Sequence, residues 1–282
     1  MDYIKLTCAK PSESVFTEIL MADLADIGFE SFEETEDQIL AYIPEKDFDE
    51  SKLTGIDFHS DVKPEQEFIK DQNWNAVWES NYDSVLIADR VYIRAPFHQS
   101  RSDVDFEIVI NPKMAFGTAH HETTALIIEY ILEDEQILKN KYLLDMGCGT
   151  GVLAILAVMQ GAEKAMAVDY DHWSYESTAE NATINKTPEV HAVLGDASVL
   201  PVEETFDIVF ANINKNILLN DMGAYEKCLK QEGFIYFSGF YESDLEDIKQ
   251  KAESLGLKYL NHKVKNNWTA AKFIKKSFKA SL

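Results

Sequence analysis

The chain has 282 residues, 46% of them hydrophobic, and sets 26 Lys and Arg against 49 Asp and Glu for a formal net charge of −23. That length and apolar content allow one large domain or two smaller ones around a sizeable core and exclude global disorder. So negative a surface repels a phosphate backbone, which argues against direct DNA or RNA binding; it attracts a basic partner, or serves only as a solvated surface.

In chain order, "YIKLTCAK" reads as a strand. In "SESVFTEILMADLADIG", Phe16, Ile19, Leu20, Leu24 and Ile27 share one helical face, and Gly28 stands at a C-terminal cap position. "FESFEETEDQILAYIPE" predicts two strands around an acidic turn, "DESKLTGI" a second short helix and "DVKPEQEFI" a further strand. The order β-α-β-β-α-β predicts a small ferredoxin-like α+β domain over residues 1–68. Next, "KDQNWNAVWESNYDS" predicts a linker helix over 69–82, docked by Trp74 and Trp78, which share a face at i and i+4.

From residue 83 to 282 a larger α/β domain is expected. "VLIADRVYIRAPF" and "DVDFEIVIN" alternate as strands, and "KMAFGTAHHETTALIIEYILEDE" is a Gly-containing loop followed by a helix, with Thr123 and Thr124 near its start. Beyond Lys141, apolar runs alternate with helical segments, which predicts a parallel sheet covered on both faces. "LKYLNHKVKN" and "WTAAKFIKK" then close the chain as a hairpin.

Cys8, Cys148 and Cys228 are isolated, suggesting neither metal-ligand spacing nor a disulfide framework, as suits a reducing cytoplasm. "MDYIKLT" has no apolar signal core, and no apolar run approaches the ~18 residues that span a bilayer, so no membrane partner is expected.

"LLDMGCGTGVLAIL" places Gly147, Gly149 and Gly151 between a strand and a helix. Such a turn lets a ligand lie on bare backbone beside the helix N-terminus, although tight strand–helix packing uses the same residues. Asp169 ends the next strand, where a carboxylate accepts from both hydroxyls of a ribose. Asp196, in "GDA", follows the third strand, where a turn Asp is common. The spacing G-x-G-x-G differs from the G-x-G-x-x-G of dinucleotide sites, the loop has no lysine for a phosphate, and Asp145 before it suits a cationic amine.

"DMGCGTG" resembles motif I of the class I S-adenosylmethionine-dependent methyltransferases. "INPKMAFGTAHHETTALIIEYI" and "FDIVFANINKNILL" resemble the segments that flank that motif in PrmA-type ribosomal-protein methyltransferases, and the likeness runs over essentially the whole chain. The resemblance implies a Rossmann-like class I methyltransferase domain, S-adenosylmethionine as cofactor, and as substrate the eleventh protein of the large ribosomal subunit, methylated on lysine and N-terminal amines. It implies that the N-terminal domain grips this substrate. It places cofactor contacts at Thr124, Gly147, Asp169 and Asn212, with Phe116 and Gly117 in a loop over the cofactor; Asp196 resembles the family position that accepts from the adenine amino group, or is an ordinary turn residue, and Gly149 joins them from the residues themselves. Lys113, Ala119 and the Asn214-Lys215-Asn216 stretch depart from the family pattern, which bears on substrate-facing detail more than on the cofactor site.

Methyl transfer needs a neutral amine, and at a pKa near 10.4 only on the order of one lysine in two thousand is neutral at pH 7. Desolvation and a nearby cation lower that pKa, and holding the reactants in line supplies several kcal/mol. Asn212 is the candidate acceptor for the amine N–H, or else a strand-end cap. His121, and less directly His120, is the candidate for substrate positioning or proton removal, or else a loop histidine without a catalytic part. "HHE" lacks the H-E-x-x-H spacing of a zinc site. Three other functions compete: a class I methyltransferase acting on another protein or a small amine, a non-catalytic assembly factor, and, most weakly, an NAD-dependent oxidoreductase.

Overall fold

The computed structural model of the chain describes residues 2–11, 13–60, 62–69, 83–111 and 121–277. The expected linker helix with Trp74 and Trp78 lies outside them, as do Lys113, Phe116, Gly117, Ala119 and His120. The chain divides into two compact units, Met1–Tyr82 and Asp83–Leu282.

The first unit contains β1 (Tyr3–Ala9), α1 (Ser14–Asp26), β2 (Ser31–Glu34), β3 (Gln38–Pro44) and β4 (Glu65–Ile69). The sheet order is β2-β3-β1-β4 with every neighbouring pair antiparallel, the order of a split βαβ domain. Leu6 and Cys8 of β1 alternate inward with Ile39, Ala41 and Ile43 of β3, and Leu20 and Leu24 of α1 close the core over them. Two details differ from the sequence expectation. The buried stripe of α1 is Thr17–Leu20–Leu24, which leaves Phe16 and Ile19 exposed, Phe16 with its ring 4.5 Å from that of His59. The second helix is replaced by 3-10 turn over Glu50–Gly55, started by Asp49 accepting from Ser51 N–H at 3.0 Å. Leu53 is the one apolar residue within that turn to pack on the core, and one contact point cannot seat a two-turn amphipathic helix.

The second unit opens with a three-stranded sheet of β5 (Val85–Ile87), β6 (Val91–Arg94) and β7 (Phe106–Val109), then α2 (Glu122–Glu133) and a helical turn, α3 (Glu135–Leu138). The main sheet follows as β8 (Tyr142–Met146), α4 (Val152–Met159), β9 (Lys164–Asp169), α5 (His172–Ile184), β10 (Val190–Leu194), β11 (Phe206–Asn212), α6 (Lys215–Cys228), β12 (Leu229–Tyr241), α7 (Leu245–Ser254), β13 (Leu257–Lys265) and β14 (Trp268–Lys275). Its order is β10-β9-β8-β11-β12-β14-β13, with β10 through β12 parallel and β14 antiparallel to both neighbours. Asn266 and Asn267, at φ of 50° and 66°, make the tight turn of the closing hairpin.

Successive residues feed two separate cores. Leu143, Ile208, Phe210 and Tyr236 pack beneath α2 and α4 on one face. Leu144, Val209, Ala211 and Phe237 pack against α6 and α7 on the other. This is why the strands read as unbroken apolar runs. The chain runs outward from β8 to β9 and β10, then crosses back to β11 on the other side of β8. That reversal opens a crevice at the carboxyl ends of β8 and β11, the place where open α/β sheets bind ligands.

Candidate active site

At that crevice lies a cleft of about 710 Å³, lined by residues that include Gly147, Gly149, Asp169, Asp196, Asn212 and His121. The strand ends β8, β9 and β11 and the start of α2 thus bring together most of the residues singled out in the sequence.

The glycine turn follows directly from β8 and leads into α4 through Gly151. Gly147 has φ +71°, and a Cβ built on it would sit 2.3 Å from Cγ2 of Ile213. Its lack of a side chain therefore serves the closure of the turn against the end of β11 as well as the openness of the cleft. Gly147→Ala should lower the unfolding free energy by about 2 kcal/mol or more, read by denaturant titration of the unliganded protein, because strain and overlap act together.

Asp169 is buried and divides its carboxylate between two backbone donors. Oδ2 accepts from Gly149 N–H at 2.9 Å and Oδ1 from Asp171 N–H at 3.0 Å. Each oxygen keeps lone-pair capacity for a ligand hydroxyl, and the first of these bonds ties the acid to the glycine turn. Asp196 is more peripheral. It accepts from Ser198 N–H at 2.8 Å, which starts a 3-10 turn, and the Ser198 hydroxyl and N–H hold its carboxyl below the usual range.

Asn212 ends β11. Its Nδ2 donates to Thr124 Oγ1 at 3.2 Å, while its Oδ1 is buried with no donor among the described residues. Thr124 is fully buried and reaches the site through this bond; its neighbour Thr123 lines the cleft directly. His121 is the N-cap of α2, with Nδ1 accepting from Thr123 N–H at 3.3 Å and lying 2.7 Å from the Thr123 hydroxyl. Its ring stands edge-on to Trp268 at 4.5 Å.

Asp145 sits beneath the turn, 0% exposed. Its Oδ2 accepts from Ala154 N–H at 3.2 Å and its Oδ1 has no donor among the described residues. Burial pushes this carboxyl up to about 7, the Ala154 N–H opposes the rise, and the Asp169 charge adds to it. An orphaned oxygen on a buried acid is costly unless something completes it.

Four carboxylates line the cleft, from Asp169, Asp171, Asp196 and Asp221, and among the described residues the lining includes neither Lys nor Arg. Such a site favours a cationic ligand and opposes a phosphate. Trp268, Asp221 and Gly239 are not signalled by any motif. Trp268 comes from the closing hairpin. Asp221 shares one face of α6 with the cleft-lining Asn214 and Ile217, a helical period that does carry the information. Among the described residues no group of three or more His, Cys, Asp or Glu is placed to hold a metal ion.

The sequence matches the family described as "Ribosomal protein L11 methyltransferase (PrmA)" over residues 12–276. It is 42% identical to the ribosomal protein L11 methyltransferase of Phocaeicola vulgatus, covering 98% of this chain and 100% of the relative. It is also 42% identical to that of Bacteroides thetaiotaomicron, covering 97% and 99%. A crystal structure of ribosomal protein L11 methylase from Lactobacillus delbrueckii subsp. bulgaricus superposes with a TM-score of 0.62 at 27% identity, covering 70% of this chain and 100% of that one. With the strand order, the glycine turn and a family match over nearly the whole sequence in agreement, the chain belongs to the PrmA family of S-adenosylmethionine-dependent class I methyltransferases.

Proposed function

We propose that this chain methylates lysine and N-terminal amines of ribosomal protein L11, with S-adenosylmethionine as donor. The observation that carries the reading is the buried Asn212 Oδ1, an acceptor with no donor among the described residues, at the end of β11 and on the same cleft as the glycine turn. An amine N–H is the group it lacks.

The residues present fit the cofactor. Asp145, buried beneath the glycine turn and outside the cleft lining, lends its charge to the end that takes the cationic amino group, Asp169 offers lone pairs to the ribose hydroxyls, Gly147 and Gly149 offer bare backbone, and Asp196 stands where the adenine amino group is expected. When bound, S-adenosylmethionine supplies an electrophilic methyl group on a sulfonium. The chain's part is positional. Thr124 holds the Asn212 amide by its Nδ2, which leaves Oδ1 to accept from the incoming amine and aim its lone pair. The acidic lining makes the cleft hospitable to a protonated amine on arrival.

His121 serves best as a positioning residue. With Nδ1 accepting from Thr123 N–H, the neutral ring carries its proton on Nε2, so taking a further proton means giving up the helix cap. His121→Asn keeps a capping side chain and removes the imidazole. The variant should hold stability within about 1 kcal/mol, lower the rate, and leave the shape of the pH–rate profile unchanged. A lost acidic limb would instead assign proton removal to the ring.

The small N-terminal unit is the proposed substrate grip. Its exposed strands carry Glu33 and Glu34 on β2 and Glu65 and Glu67 on β4, with Phe68 half exposed among them. Against a basic L11, association should slow as salt rises from 50 to 500 mM, because exposed charges are screened beyond about 8–10 Å at physiological salt; stopped-flow rates independent of salt would contradict electrostatic capture. A soluble cytoplasmic setting, with neither nucleic acid nor membrane as partner, belongs to the same proposal. No helix among the described residues is long and apolar enough to cross a membrane. The direct test is mass spectrometry of purified L11 after incubation with this chain and S-adenosylmethionine. Methyl additions on its amines support the reading; unmodified L11, with label appearing on another protein or a small amine in lysate, overturns it.

A further inference from the structure

Helix α5 turns an unusual face to the protein interior. Its buried residues are Ser174, Ser177, Thr178, Asn181 and Ala182, with no large aliphatic among them. A helix packed through polar groups must have them hydrogen-bonded, and beyond its own first turns the partners here are the glycine turn and the β7 segment. Asn181, 0% exposed, donates from Nδ2 to the backbone carbonyl of Thr150 at 2.9 Å and accepts at Oδ1 from Asn111 N–H at 2.9 Å. Thr178, one turn earlier, donates its hydroxyl to the carbonyl of Gly149 at 2.9 Å. Asn185, one turn later, accepts from Val109 N–H at 2.8 Å and donates to Val109 C=O at 2.7 Å.

The spacings match. From residue 181 to 185 the helix rises about 6 Å, and from residue 111 to 109 an extended chain covers about 6.6 Å. The two asparagines therefore meet alternate residues of the β7 segment, while Thr178 and Asn181 reach the other way to the glycine turn. Asn181 is the member that touches both.

We infer that Asn181, seconded by Thr178, is a positioning residue for the cofactor: it fixes the main chain of the glycine turn at Gly149 and Thr150 by tying it to the Asn111 backbone through one amide. This role rests on the cofactor reading of the cleft given above. The chemistry selects the side chain. An amide supplies a donor and an acceptor from one planar group, whereas a carboxylate of the same shape supplies no donor for the Thr150 carbonyl and alanine leaves both backbone groups unmade. Asn185 is the internal control, since it makes the same kind of bonds to β7 and none to the glycine turn.

The test is calorimetric titration of S-adenosylmethionine into the parent, Asn181→Asp, Asn185→Asp, Thr178→Val and Thr178→Ser, each confirmed folded by circular dichroism at the titration temperature. Asn181→Asp should weaken binding about 10-fold or more, and Asn185→Asp less than about 2-fold even where its melting temperature falls as far. Should Asn181→Asp fail to fold, the threonine pair decides: Thr178→Val keeps the shape and loses the hydroxyl, so it should bind more weakly, and Thr178→Ser should restore the parental affinity. Folded Asn181→Asp binding like the parent, or Asn185→Asp losing as much, overturns the inference. A parent chain that does not bind S-adenosylmethionine overturns the functional reading itself, a result distinct from either.

Discussion

Asp145→Asn should weaken S-adenosylmethionine binding about 100-fold while making the unliganded chain more stable at pH 8. The two effects share one cause. The buried carboxyl is raised from the usual range to about 7 chiefly by burial, so the folded state holds its proton more tightly than the unfolded state does. A raised acid contributes stability in full below about pH 4 and loses it as pH climbs through about 7; above that, the fold carries an ionised group with one oxygen unanswered. A displacement of roughly three units corresponds to about 4 kcal/mol, and relaxation around the site brings the expected gain at pH 8 to about 2–4 kcal/mol. The amide introduced by Asp145→Asn is neutral at every pH and free of this slope. It equally lacks the charge that a cationic amino group needs, which gives the loss in affinity. In the parent, affinity for the cofactor should strengthen as pH rises through about 7. Asp169 and Cys148, the latter with its thiol pushed well above its usual range by burial, are the titratable neighbours to be controlled by substitution in that series. Denaturant titrations at pH 5 and pH 8, with calorimetry at both, check all of this. A variant no more stable than the parent at pH 8 would contradict the buried-charge argument, and unchanged affinity would remove Asp145 from the cofactor site.

Asn212→Ala is expected to lower kcat about 100-fold to 1000-fold, with the dissociation constant for S-adenosylmethionine within about threefold of the parent. The division follows from the proposed role of the side chain: its Nδ2 is occupied by Thr124, and its Oδ1, with no donor among the described residues, is the acceptor proposed for the substrate amine. Single-turnover kinetics on L11 with saturating cofactor separate the two quantities. If the defect lies in cofactor affinity and kcat stands near the parental value, Asn212 belongs to cofactor binding alone and the amine is oriented elsewhere.

Much of the site is legible in the sequence because it is built from consecutive strand ends. A strand, a glycine turn and a helix in "LLDMGCGTGVLAIL" define the first crevice wall locally, and Asp169 follows from the next strand by the same rhythm. The reasons for particular residues are less legible. Gly147 reads as room for a ligand, yet its nearest would-be clash is with Ile213, a partner supplied by the end of β11. Thr124 reads as a cofactor contact, yet it is fully buried and bonded to Asn212. Trp268 belongs to the last hairpin, whose alternation announces a strand and nothing of the cleft that its first residue borders. In the small unit the helical face of α1 reads wider than it is, because the sheet beneath it covers only the Thr17–Leu20–Leu24 stripe. Local pattern thus locates elements, whereas the identity of a contact depends on strands brought together from far along the chain.

A crystal structure of the chain with S-adenosylmethionine bound is the most direct trial of this site. Density is expected across the carboxyl ends of β8 and β9, with the amino group at the glycine turn above Asp145, the ribose on Asp169 and the methyl facing Asn212. Density at any other place, or Asp169 without contact to the ligand, would contradict it.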